Sequence, residues 1–357
     1  MKTKIIVHVI DSLSLGGAET LLKNTIALLP EFSHTIVCLE TQKNTTKVII
    51  NNADIVSLNH RGWKSLPATV IKLRNIINKQ KPLLVHSHLF YATFCARLAT
   101  PSGVPLASTI HSLYSKDAFG KNKKSIWAER FLLKERHALI AVSKFVLDDY
   151  LSYVPFRGKR FVLHNFLPDD SFQLKLKPAS LDGLKCIAVG NLKEAKNYNY
   201  LLEIFSNLKH TGISLDIYGE GAIKNQLQKT IDDNNLPVRL LGNTSNVKDL
   251  FKNYHLFVQA SSHEGFGISV IEAMAAKLPV LISDIAVFRE ISSGHAHFFP
   301  LDSHLTAADI FMQHLNNPVE RIKYVEDAFE FCRQYYSTKV YKEKLLSIYN
   351  LCLNASN

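Results

Sequence analysis

Cysteine is scarce and unpatterned in this chain. Its 357 residues include five (Cys38, Cys95, Cys186, Cys332, Cys352), odd in number, scattered and in no metal-ligand spacing. That excludes a disulfide framework and indicates free thiols in a reducing compartment. No stretch reaches 18 apolar residues, so no transmembrane helix is expected. Met1-Lys2-Thr3-Lys4-Ile5 enters a β-like run without an apolar h-region or a small-residue cleavage site, so no leader is expected and the location reads as cytoplasmic. There is no Asp-x-Asp pair to hold a divalent cation beside a diphosphate, and no His/Cys group with ligand spacing along the chain. The Gly-x-Gly-x-x-Gly dinucleotide fingerprint is missing too. No low-complexity segment or short-period repeat occurs.

What is present is ordinary in bulk and uneven in charge. An apolar content of 46% and a charged content of 20% suit a soluble globular protein, and the length suits two domains. The net charge is +11. Residues 1–170 hold 23 Lys+Arg against 12 Asp+Glu, so the whole excess lies there. Much of it is in Lys116, Lys121, Lys123, Lys124, Arg130, Lys134 and Arg136, interleaved with Trp127, Phe131, Leu132 and Leu133. A basic helix with aromatic and leucine positions fits an anionic membrane surface, with a solvated helix face as the alternative. No nucleic-acid recognition motif accompanies the charge, so no nucleic-acid partner is expected.

Apolar runs alternate with helical spacings along the chain. Strands are read at Ile5–Ile10, 34–39, 54–58, 83–88, 105–110 and 139–142, with a short strand running into a loop at 161–166, and helices at 20–29, 63–79, 89–99 and 144–151. Leu167-Pro168-Asp169-Asp170 through Lys177-Pro178 to Gly183 has no periodicity and reads as a linker. The pattern restarts at Cys186. Strands are read at 186–189, 215–218, 238–241, 255–258 and 280–283, with helices between them and closing helices at 302–316, 319–334 and 338–353. This is α/β with mostly parallel sheets, whose ligands bind at the carboxyl ends of strands. Gly16, Gly17, His88 and His111 fall at such ends. His86 reads as a packed residue.

The stretch Ser261 to Glu272 reads as strand end, Gly-rich turn, then helix start. Free N–H groups and the positive end of the dipole at a helix start favour an anion. Gly265 and Gly267 allow close backbone approach. Glu264 lies in the turn and Glu272 about two turns into the helix, where carboxylates accept hydrogen bonds from hydroxyls. Phosphate plus hydroxyls describes a sugar nucleotide; two solvated glutamates on a surface turn is the competing reading. Lys196 follows the strand-end Gly190 by six residues and can reach back over the sheet edge. With no metal pair, it and the backbone amides are left to neutralise a diphosphate.

The Gly16-Gly17 loop, strand-end His111, Val189-Gly190-Asn191-Leu192 with Lys196, Tyr218-Gly219-Glu220-Gly221 and the Glu264-x₇-Glu272 motif together resemble the family-4 retaining glycosyltransferases. The resemblance covers nearly the whole chain and implies the GT-B fold, two Rossmann-like domains facing a central cleft. Residues 1–170 are expected to form the acceptor-side domain and 171–335 the nucleotide-sugar domain, with 336–357 crossing back to the first. The resemblance assigns Glu264 to the donor sugar and Gly265, Phe266, Gly267 and Ile268 to the loop whose amides meet sugar and phosphate. It assigns Glu272 to the ribose and Lys196 to the diphosphate. Gly190, Asn191 and Gly219 line the donor, Gly16 and Gly17 close over its phosphates, and His111 contacts its sugar. One departure stands out: the family usually has Gly-Arg-Leu where this chain has Gly190-Asn191-Leu192, and Lys193 is the candidate replacement cation.

The implied activity is metal-independent, cofactor-free transfer of a hexose from a UDP- or GDP-sugar to a hydroxyl, with retained configuration. The acceptor would be a glycan or a polyprenyl-pyrophosphate-linked intermediate of cell-surface polysaccharide assembly, such as lipopolysaccharide or capsule, met at the inner membrane face by the basic first half. Asn191 keeps open a weak or inactive sugar-nucleotide-binding subunit, and a sugar-nucleotide epimerase of the same fold is a third reading.

Overall fold

A computed structural model describes residues 4–14, 16–40, 49–172, 183–244 and 247–354. The short apolar runs become strands: β1 (Ile5–Ile10), β2 (Ser33–Cys38), β3 (Ala53–Ser57), β4 (Leu84–His88), β5 (Leu106–Ile110), β6 (Ala138–Ala141) and β7 (Lys159–Val162). They form a parallel sheet in the order β3-β2-β1-β4-β5-β6-β7. A second group follows: β8 (Leu184–Val189), β9 (Ile213–Tyr218), β10 (Val238–Gly242), β11 (Leu256–Gln259), β12 (Val280–Ser283) and β13 (His297–Phe299). Its parallel order is β10-β9-β8-β11-β12-β13. In each sheet the order reverses beside the first strand, between β1 and β4 and between β8 and β11. Ligands of doubly wound sheets bind at such switch points.

The chain divides into a unit of residues 1–166 with 338–357 and a unit of residues 167–337. Helices cover both faces of the first sheet, so its central strands are buried on both sides instead of alternating, and the polar residues they carry, His8, His86 and His88 among them, are buried too. On one face Ile6, Leu84, Ala107 and Ile140 pack with Tyr341, Leu345, Ile348 and Tyr349 of the helix Thr338–Leu353. On the other, Val7, Val9, Val37 and Val85 pack with Leu73, Ile77, Cys95 and Ala96. The second unit has its own core, including Cys186, Ala188, Phe205, Ile217, Leu256, Val258, Phe299 and Phe311.

Three expectations are revised. The helix read at 63–79 begins as a 3₁₀ turn, Trp63–Ser65, before the helix Leu66–Gln80 with Pro67 in its first turn. The helix read at 319–334 is two helices, Pro318–Ile322 and Val325–Tyr335. Strand β13 was not foreseen, since three residues carry no periodicity. Residues 173–182 of the expected linker lie outside the described residues, and its start forms the 3₁₀ turn Asp169–Phe172.

Candidate active site

In the second unit the switch-point loops bring Lys196 and Glu264 together. Lys196 lies in the 3₁₀ turn Glu194–Lys196 after β8, immediately ahead of the helix Tyr198–Asn207. Glu264 lies in the loop after β11. The Ser262 amide donates to the Ala195 carbonyl at 3.0 Å, which ties the two loops. Lys196 Nζ then stands 2.6 Å from Glu264 Oε1, with the two side chains 11% and 12% exposed. Gln259 Nε2 and Ser261 Oγ each donate to the same oxygen at 2.9 Å, and Ser269 Oγ donates to Gln259 Oε1 at 2.9 Å. Burial works against the charged carboxylate. The Lys196 ion pair, these hydrogen bonds and the charge of Lys193 outweigh it and hold Glu264 below the usual carboxylate range. Lys196 is thus not a bare cation awaiting phosphate; its charge is matched by Glu264.

Gly267 caps the helix Ile268–Ala275 with φ 98°, and a Cβ there would come 2.8 Å from the Phe288 ring. Only glycine meets both conditions. Phe266 is buried with its ring edge-on to Tyr336 at 5.7 Å, so its side chain anchors the loop. Glu272 is the fifth residue of the helix, so it lies one turn in and not two. Burial pushes its carboxyl up to about 7, opposed by Lys196. Of the two carboxylates in the motif, one is therefore held towards its charged form and the other is pushed towards its neutral form.

The facing loop is set by close backbone contact. A Cβ at Gly219 would lie 2.0 Å from the Gly190 carbonyl oxygen, and one at Gly190 would lie 2.9 Å from Lys196 Cε. Tyr198 donates to the Gly190 carbonyl at 2.9 Å. Asn191 and Lys193 are exposed on this loop.

In the first unit Gly16 caps the helix Gly17–Leu28 in extended conformation. Glu19, buried in the first turn, folds back so that its Oε2 lies 2.4 Å from where a Gly16 Cβ would be. Its carboxyl, raised by burial, occupies the anion position of that helix start. Asp11, raised to about 7 chiefly by burial, accepts from the Ala92 amide at 2.7 Å. His111 follows β5. His88 ends β4, and Leu89 after it adopts φ 69°, ψ 163°, a strained backbone for leucine. His8, His86 and His88 bring ring nitrogens within 4.8 Å of one another, although no spacing along the chain announces a ligand set. Burial lowers all three, and lowers His111 to about 4.

A separate surface carries the basic segment. On the helix Lys123–Leu132, Trp127 and Phe131 are 68% and 62% exposed, with rings stacked at 5.7 Å and 6°. Lys121, Lys123, Lys124, Arg130, Lys134 and Arg136 around them are exposed. The inner face is fixed by buried Glu129, which pairs with buried Arg97 and accepts from Tyr150 Oη at 2.7 Å. Among the described residues no helix is long and apolar enough to cross a membrane.

Sequence reasoning missed Gln259, Glu19, Asp11, His8 and His34. Gln259 had a visible signal, an amide ending the apolar strand Leu256-Phe257-Val258. His8 and His34 lie inside strands, where nothing local marks them.

Residues 15–171 match the family model described as Glycosyltransferase Family 4, and residues 173–329 match that described as Glycosyl transferases group 1. EpsF of Bacillus subtilis (strain 168) is 26% identical over 318 residues, 82% of each chain. The poly(ribitol-phosphate) alpha-N-acetylglucosaminyltransferase of Staphylococcus aureus (strain COL) is 30% identical over 169 residues, 45% of this chain and 34% of that one. Among solved structures, Anabaena HepE in complex with UDP-glucose superposes with a TM-score of 0.80 at 13% identity, covering 96% of this chain and 98% of that one.

Proposed function

The chain belongs to the family-4 glycosyltransferases and has their GT-B fold, and from that premise we propose that it transfers a hexose from a UDP- or GDP-sugar to a hydroxyl with retention. The observation that carries the reading is the buried Lys196–Glu264 pair beside the amide-bearing start of the helix Ile268–Ala275, at the β8/β11 switch point. An ionised carboxylate fixed by three donors is built to accept from sugar hydroxyls. The helix-start amides, with Lys196 and Lys193 near, suit the diphosphate, and Glu272 suits the ribose. Gly190, Asn191, Gly219, Gly265, Phe266, Gly267 and Ile268 would line the donor with backbone. In the reaction the acceptor oxygen bonds to the anomeric carbon as the bond from that carbon to the diphosphate oxygen breaks. The acceptor proton goes to the departing phosphate on the same face. Stabilising that phosphate with fixed amides and cations, without a metal, supplies the main catalytic term.

The acceptor in this reading is a glycan or a lipid-linked pyrophosphate intermediate of cell-surface polysaccharide. The protein works in the cytoplasm as a peripheral enzyme, the stacked Trp127–Phe131 pair and surrounding lysines meeting anionic lipid. The exposed Asn191 favours one other reading, a sugar-nucleotide-binding subunit with little turnover. A thermal-shift panel of UDP-, GDP- and ADP-sugars tests the proposal, because a ligand at 100 times its Kd stabilises by about 2.7 kcal/mol. No shift with any donor refutes it. Binding without hydrolysis or transfer, in the chain and in Asn191→Arg alike, selects the subunit.

A further inference from the structure

Four histidines of the first unit, His34, His8, His88 and His111, form a line, not a knot. Parallel register sets His8 opposite His86, His34 opposite Ile6 and His88 opposite Thr109. Side chains two apart share a face. His34, His8, His86, His88 and His111 therefore project from one side of the sheet, the side covered by the helix Thr338–Leu353. His34 Nε2 is 3.0 Å from the Leu29 carbonyl, and His34 Nδ1 is 3.1 Å from His8 Nε2. His8 Nδ1 is 3.4 Å from His88 Nε2, and His88 Nδ1 is 3.3 Å from His111 Nε2.

A carbonyl oxygen can only accept, so it decides the first proton. His34 must carry its hydrogen on Nε2, which leaves Nδ1 as an acceptor. His8 then donates from Nε2 and accepts on Nδ1, and His88 does the same in turn. We propose that this four-ring relay locks His111 as the Nε2–H tautomer and makes its Nδ1 a permanent acceptor for a substrate hydroxyl. His8, His34 and His88 are thus positioning residues. Burial disfavours protonation of each ring, which keeps the relay neutral and its direction unique. His86 stands beside the line. Its nitrogens meet Tyr349 Oη at 2.8 Å and Thr109 Oγ1 at 2.7 Å, hydroxyls that adapt to either tautomer. The same bonds argue against reading His8, His86 and His88 as a metal triad, because each of their nitrogens already has a partner.

The relay itself rests on the geometry; its use in turnover rests on the function proposed above. The test is ¹⁵N–¹H long-range correlation of histidine-labelled full-length protein, with His111 identified by its loss in His111→Gln. The wild-type His111 should show protonated Nε2 and bare Nδ1. His34→Leu, three rings away, should shift His111 towards the other tautomer or a mixture. His34→Gln, which retains one donor and one acceptor, should restore it. A wild-type His111 protonated on Nδ1, or an identical His111 spectrum in His34→Leu, overturns the relay. So does zinc retained stoichiometrically after chelator dialysis with His8, His86 and His88 metal-shifted. If His34→Leu does not fold, the wild-type and His34→Gln spectra still decide. With the donor selected by the thermal-shift panel, kcat of His34→Leu should fall about tenfold, the scale of one lost orienting hydrogen bond, at nearly constant KM. A changed tautomer with unchanged kcat leaves the relay standing and removes His111 from the reaction.

Discussion

Removing the charge of Lys196 isolates what holds the candidate site together. In Lys196→Met the stem keeps its volume, but Glu264 loses the partner 2.6 Å away while it stays nearly enclosed. Breaking a buried pair from one side costs about 3–5 kcal/mol, because the remaining charge is uncompensated. For a unit of this size that is a fall in melting temperature of roughly 10 °C. The loss should depend on pH. In the wild type Glu264 is held below its usual range, so its contribution is present above the ordinary carboxylate pKa and disappears as pH falls through the lowered one. In the variant the largest opposition to burial is gone and only the Ser261 and Gln259 hydrogen bonds and the charge of Lys193 remain, so Glu264 should rise, and stability should be best in acid and decline as pH rises. The gap between the proteins should therefore widen from pH 4 to pH 7. Adding Glu264→Gln should restore the variant to within about 2 kcal/mol, since the amide oxygen still accepts from Gln259 and Ser261. Both tryptophans, Trp63 and Trp127, lie in the first unit, so tryptophan fluorescence follows the first unit alone, and the second unit's transition is the part of the circular dichroism change that fluorescence does not share. A Lys196→Met melting curve that matches the wild type across this pH range refutes the reasoning.

Other outcomes follow from the same structure. Glu272, raised to about 7, stabilises the fold best when protonated, so apo stability should decline from about pH 4.5 to 7, and Glu272→Gln should flatten that slope in denaturant titrations. Gly219→Ala places a methyl 2.0 Å from the Gly190 oxygen and should cost about 1–3 kcal/mol in urea unfolding while weakening donor binding. Trp127→Ala with Phe131→Ala should lower retention on anionic vesicles at low salt, and retention equal to the wild type would sink the membrane role. Glu129→Ala leaves Arg97 buried and unpaired and should cost about 3–5 kcal/mol in the fluorescence-detected transition.

Periodicity and punctuation alone determined a good deal. Alternating apolar runs and helical spacings specify parallel α/β units, because a strand buried on both faces is mostly apolar along its whole length. The glycines at strand ends mark where backbone approaches a ligand, and the Glu264-x₇-Glu272 motif locates the loop and helix of the second unit. These signals are local, so they are legible in one dimension. What depended on pairing was not. Lys196 and Glu264 are 68 positions apart, and only the adjacency of β8 and β11 makes them an ion pair instead of two separate ligand groups. Burial then splits the two glutamates, one held ionised and one raised, although their residue type is the same. His8 and His34 are unremarkable inside their strands. Parallel register alone places them on the face of His88 and His111, and a single carbonyl at Leu29 orients the line. Tertiary structure decided which polar groups share a low-dielectric interior, and that sharing sets their charge and proton positions.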